Sequence, residues 1–200
     1  MPSSSTPDTE LPPPAPGATE HRALDLANSV VQIPGGGTVD ALATPATATE
    51  WLVERHLAPP GAPLQEYCAS RLAGLRARTR DLFDSVAAGT APPEEALEAI
   101  NAALRLVPAT DVLRWEPDRG LVREAVHPVT QVVEHAMSAL AADAVDLVTG
   151  PEAASLTACT ARPCSRFFLR THARRHWCST RCGNRVRAAR AYARRIPAAH

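Results

Sequence analysis

Four of the five cysteines fall in two close pairs, Cys159 with Cys164 and Cys178 with Cys182, separated by thirteen residues. Thiolates are soft donors, and two of them a few residues apart grip one ion from a tight turn. Four of them complete the tetrahedron that zinc prefers. Such a set leaves no open coordination position, so the expected role is a structural staple rather than an activated water. The alternatives are two disulfides, which a reducing cytoplasm disfavours, or four unrelated buried thiols. His172 and His176 lie close by and are read as surface residues, with replacement of a cysteine ligand as the alternative. Cys68 falls on an apolar helical stripe and is read as core.

The same stretch, Cys159 to His200, is strongly one-signed. It holds eleven arginines and no acid, while the preceding 158 residues carry ten arginines against all twenty-one acids, a net charge of −11. Lysine is absent; with so much Ala and Pro this reads as codon bias, so the choice of Arg over Lys carries little functional weight. A helix is expected over Arg185 to Arg195. On it Arg187, Arg190 and Arg194 form one stripe, and Arg181 with Arg185 a second. Such a face suits the phosphates along a nucleic-acid groove; arginine can also read guanine, and Asn184 adenine. The plain alternatives are a solvated face, or one that docks a protein or the acidic body.

The elements that must carry this module are helical. Residues 1–19 include six prolines and few large apolar side chains, and are expected to be disordered. A short helix is expected over Glu20 to Val31, stopped by Ile33-Pro34-Gly35-Gly36-Gly37. The three glycines lack the Lys-Ser/Thr ending of a phosphate loop. Thr44-Pro45 opens a second helix, as N-cap and first-turn proline. A long helix follows, with Leu64, Tyr67, Leu72, Leu75, Leu82, Phe83 and Val86 at helical spacing and arginines 71, 76, 78 and 80 mostly off that face. Pro92-Pro93-Glu94-Glu95 opens another helix, with Leu97, Ile100, Leu104 and Val107 inward. Val112 to Val126 reads as a β-hairpin, and Pro128 begins a last body helix that ends near Gly150. Between the cysteine pairs, residues 165–177 are expected to form a small hairpin. The fold class is therefore mainly α: a helical N-terminal domain with one hairpin, then a small treble-clef-like finger of knuckle, hairpin and helix.

No apolar run reaches membrane length and the N-terminus lacks the signature of a secretory signal, so a cytoplasmic protein without a membrane partner is expected. Asp25, Asn28, His56, His127 and His135 are the polar candidates for catalysis. They show no nucleophile–base or paired-carboxylate spacing, so no enzyme is expected. Asp25 and Asn28 are read either as cap and turn residues or as parts of a ligand pocket.

The residues Trp177-Cys178-Ser179 and Cys182-Gly183-Asn184-Arg185, followed by an arginine-rich helix, resemble the CGNR zinc finger. The preceding body resembles the alanine-rich ABATE domain, with Leu24-Asp25-Leu26-Ala27-Asn28-Ser29 similar to its opening LD-x-x-N-T motif. Leu75 to Ala88 and Asn101 to Leu104 resemble its helices. Arg170 stands where an acid is usual, and Ser29 where Thr is. The resemblance implies a transcription regulator. It makes Cys159, Cys164, Cys178 and Cys182 the ligands of one structural Zn2+, and sets Asn184 and Arg185 in the signature. The finger is then expected to bind DNA, through Arg181, Asn184, Arg185, Arg187, Arg190 and Arg194. The body is expected to sense a small-molecule effector, at Asp25 and Asn28, or to form a homodimer. The alternative function is a zinc-dependent protein-interaction module that binds no DNA. The expected domains are a tail over 1–19, a helical body over 20–150, a linker over 151–158, the finger over 159–196, and a tail over 197–200.

Overall fold

A computed structural model of the chain describes residues 13–33, 37–62, 64–106, 110–126 and 131–195. The expectations for residues 1–12, the glycines at 35 and 36, Val107, His127, the start at Pro128 and the tail over 197–200 lie outside the described residues. Helices dominate: α1 (Arg22–Ala27), α2 (Pro45–Glu54), α3 (Glu66–Ala88), α4 (Glu94–Leu104), α5 (Val132–Thr149) and α6 (Thr180–Ala193). Strands among the described residues form two-stranded antiparallel pairs: β1 (Val30–Ile33) with β2 (Gly37–Asp40), β3 (Thr110–Glu116) with β4 (Gly120–Val126), and β5 (Leu156–Ala158) with β6 (Phe167–Leu169). No helix among the described residues is long and apolar enough to cross a membrane.

The body is built on α3, which packs against α1, α2, α4, α5 and β5. Its buried positions, Ala69, Leu72, Leu75, Leu82 and Phe83 among them, recur every three or four residues, as one face of a helix requires. Gly89 ends it in the left-handed conformation, φ 68°, the cap that a Cβ would disfavour. The α2 start is a reciprocal cap: the Thr44 side chain accepts from the Thr47 amide while the Thr47 hydroxyl accepts from the Thr44 amide.

Several expectations are corrected. The first helix stops at Ala27, and Val30 to Ile33 is a strand rather than its continuation, giving the body a second hairpin. Two α3 arginines point inward. Arg76 is buried and forms a fork to Asp40 (2.5 and 2.8 Å) while reaching the Ser29 hydroxyl (3.1 Å). Arg80 spans the carbonyls of Ala27 (2.6 Å) and Ser165 (2.8 Å) and lies over the Phe167 ring. These polar heads are tolerated because each finds an acceptor. Tyr67 and Leu97 are exposed instead of core.

Residues 13–18, expected to be disordered, are an ordered strap. Ala15 and Ala18 are buried, and the Pro16 carbonyl accepts from the Leu169 amide at 2.8 Å. Gly17, φ 89°, lies so close to Leu169 that a Cβ would come within 2.5 Å of its side chain. Small residues and fixed proline torsions make this segment cheap to order despite its lack of large apolar groups. The expected linker is likewise structured: Leu156 to Ala158 is strand β5, and Leu156 is in the body core.

Candidate metal centre and basic face

The finger begins as a hairpin whose turn is the metal knuckle. β5 leads into Cys159, the knuckle carries Cys164, and β6 returns, so Ala158 pairs with Phe167 and Leu156 with Leu169. This corrects the expected hairpin over 165–177: Phe167 to Leu169 pairs backwards, across the first cysteine pair. Residues 170–179 then cross to α6. Ser179 caps that helix by accepting from the Cys182 amide at 3.2 Å, which fixes Cys178 just before the helix and Cys182 on its first turn.

The Sγ atoms of Cys159, Cys164, Cys178 and Cys182 all lie within 4.8 Å of one another. Cys164–Cys178 and Cys178–Cys182 are each separated by 3.7 Å. A tetrahedron with zinc–sulfur bonds of about 2.3 Å has edges of about 3.8 Å, so the donor set fits that ion in both type and size. Electrostatics agree. Hydrogen bonds from Cys164 and Cys178 bring the Cys159 thiol down to about 6. Cys182 is also held below the usual thiol range by its sulfur neighbours, whereas Cys164 and Cys178 are pushed up. Four packed sulfurs cannot all ionise together unless a cation offsets their repulsion.

The residues around the cysteines are explained by this centre. Gly183 is buried, and a Cβ there would meet the Trp177 ring at 2.9 Å. Arg185 turns inward, donating to the carbonyls of Ala161 (2.7 Å) and Arg162 (3.2 Å) and to the Cys182 sulfur (3.6 Å). It ties α6 to the knuckle. Asn184 accepts from Arg187, whose guanidinium lies over the Trp177 ring. Arg175 donates to the Trp177 and Cys178 carbonyls. Of the six residues expected at DNA, Arg185 is thus a finger-building residue and Asn184 is engaged with Arg187. Arg181, Arg190 and Arg194 are exposed, as is Arg195, the first on one stripe and Arg190 with Arg194 on the other; Tyr192, which sequence reading passed over, is exposed too.

A second set of contacts, unforeseen from sequence, joins finger and body. The Asn28 side chain donates to the Phe167 carbonyl (2.9 Å) and accepts from the Phe167 amide (2.8 Å). Both polar ends of its amide are satisfied in a buried site, so Asn28 is a weld and not half of a ligand pocket. Phe167 and Leu169 complete the body core, with Phe167 edge-on to Phe83 at 5.8 Å. The strap closes the other side. Ala15 packs among Cys159, Ala161, Phe168, Cys178 and Cys182, and the Pro13 carbonyl accepts from Arg166. Asp25 is ion-paired to Arg55 and lines an open cavity of about 340 Å³, between the strap, α1 and the end of α2. Arg22, Glu54 and His56 line it as well, His56 with a left-handed φ of 55°.

A helical body carrying a hairpin–helix finger with four convergent thiols defines a structural zinc protein. The chain belongs to the ABATE family: the model described as "Putative stress-induced transcription regulator" matches residues 20–151. A CGNR zinc finger model matches residues 156–195. The centre holds one structural zinc on Cys159, Cys164, Cys178 and Cys182. No curated protein matches the chain.

Proposed function

We propose that this protein is a DNA-binding transcription regulator. The observation that carries the reading is the outer face of α6. Arg190, Arg194 and Arg195 are exposed there, on a finger segment with eleven arginines and no acid. Arg187 precedes Arg190 on the same stripe, and Arg181 lies on the second stripe. The zinc centre holds this helix by its first turn, and the Arg185 tie sets its angle to the knuckle. Arg190 and Arg194, one turn apart, then meet phosphates as a preformed pair. Association by phosphate neutralisation is steeply salt-dependent, because each contact releases counterion. The body contributes regulation: the polar cavity at Asp25, walled partly by the strap that grips the finger, is the place for a small-molecule effector.

The test is fluorescence anisotropy of labelled duplex DNA with the zinc-loaded protein, titrated with salt. Binding that weakens with salt, and whose log–log slope shrinks by about 2 units in the Arg190→Ala/Arg194→Ala double variant, is the expected result. Absence of binding at low salt, with the fold and zinc content intact, would overturn the reading in favour of a protein-docking module.

A further inference from the structure

The ribbon β3–β4 stands apart from the rest of the fold. Among the described residues it makes no more than marginal contact with any other element. A lone two-stranded ribbon is marginally stable in water and needs a covered face. This one exposes three large apolar side chains: Leu113 is 72 % exposed, Trp115 67 % and Leu121 66 %. They share a side. Leu113 and Trp115 are two residues apart on β3, and Leu121 is the cross-strand partner of Trp115. Three of the body's five exposed large hydrophobics among the described residues, the other two being Tyr67 and Leu97, are thus gathered on one small element.

We propose that this apolar face is a homodimer interface, on which the ribbon of a second copy packs across a two-fold axis. Three observations choose that occupant. First, the segments of this chain outside the described residues offer no comparable apolar cluster: residues 1–12 are rich in Ser, Thr and Pro, and residues 196–200 read IPAAH. Second, the ribbon is of mixed charge, with Arg114, Arg119 and Arg123 against Asp111, Glu116, Asp118 and Glu124, and Glu116 bonded to Arg119 at 3.2 Å. It lacks the one-signed basic character that a nucleic-acid surface needs, while a rim of both signs around an apolar centre is compatible with itself. Third, the area suits a weak, reversible dimer. The three side chains present roughly 400 Å² per copy, so two faces cover roughly 800 Å², and the ribbon backbones raise this toward the lower end of specific interfaces. In an isologous contact Trp115 is the aromatic anchor of the kind enriched at interface centres, with the two leucines as apolar surround.

The interface does not depend on the DNA reading, although a dimer would present two basic helices to two half-sites. It is tested without DNA, by sedimentation velocity on the full zinc-loaded chain from about 1 to about 200 µM, the range in which such an interface dissociates. The wild type is expected to pass from the 21.3 kDa monomer to twice that mass. Trp115→Glu is expected to raise the dimer dissociation constant at least tenfold, and Trp115→Phe to leave a dimer. Leu113→Glu/Leu121→Glu, which leaves the tryptophan in place, is expected to act as Trp115→Glu does, with helix content and zinc stoichiometry confirming the fold. A wild type that stays monomeric throughout would overturn the proposal. So would a dimer that survives both charged variants, or variants that lose DNA affinity with no change in mass.

Discussion

Within the finger, each residue of the Cys182–Arg185 run has a separate physical task. Cys182 binds metal, Gly183 admits the Trp177 ring, Asn184 holds Arg187, and Arg185 caps the knuckle carbonyls. Their substitutions should therefore fail in different assays. Gly183→Ala puts a methyl 2.9 Å from a rigid indole carbon, and should cost about 1–3 kcal/mol of stability, read as a lower Tm of the zinc-loaded protein. Arg185→Ala removes a charged donor from two carbonyls and a sulfur. It should weaken zinc retention against a competing chelator by about tenfold, equivalent to about 1.5 kcal/mol, while leaving the salt slope of DNA binding unchanged. If the slope falls by a full unit instead, Arg185 touches phosphate and the inward assignment is wrong.

At the scale of elements, the weld between α1 and β6 decides how finger and body behave. Asn28→Ala leaves the Phe167 amide and carbonyl buried without partners. The expected loss is about 2–4 kcal/mol, measured by denaturant unfolding. Asn28→Asp should be no better, because a carboxylate cannot donate to the Phe167 carbonyl. None of this was visible in the sequence, since the two partners lie 139 residues apart and Asn28 reads locally as a turn residue. The cysteine centre was legible for the opposite reason: its geometry is encoded in spacing short enough to read. The helices were legible from their apolar period, and β3–β4 from its central Glu116–Gly120 turn. Hairpin β1–β2 was missed because Val30 and Val31 continue the apolar run of α1. Arg76 and Arg80 were misplaced because arginine is normally a surface residue, and only the fold supplies the acceptors that allow them inside. The strap was missed because low hydrophobicity predicts disorder, whereas small side chains suit a segment wedged against a metal knuckle.

On the scale of the whole molecule, the finger and the body share a core, so they should unfold together. Calorimetry of the zinc-loaded protein is expected to show one transition, which chelation shifts to lower temperature as a whole; two separate transitions would mean independent units. The pH response has two arms of opposite sign. Burial opposes protonation of His21, but hydrogen bonds to Glu152 and Asp143 outweigh it and raise its pKa above 6.5. That contribution to stability is complete below pH 6.5 and is lost as pH rises through the raised value. Asp40 is the converse. Burial alone would raise its carboxyl, but the Arg76 fork prevails and holds it below 3.8, so its contribution is present above that pH and is lost on acidification. His21→Gln should flatten the alkaline arm of a Tm-versus-pH curve and leave the acid arm in place.

The strap and β6 also bear on how such a gene can be rearranged. A recombination breakpoint between residues 151 and 156 would separate the two family segments cleanly on paper. The body half would leave without Leu156, Phe167 and Leu169, and the finger half without the Ala15 and Pro16 that close it. Neither fragment would be a portable module. A CGNR finger grafted onto a foreign partner would need that partner to supply both an asparagine facing the β6 backbone and a small-residue segment along its edge. This pairing is expected to be inherited as one piece.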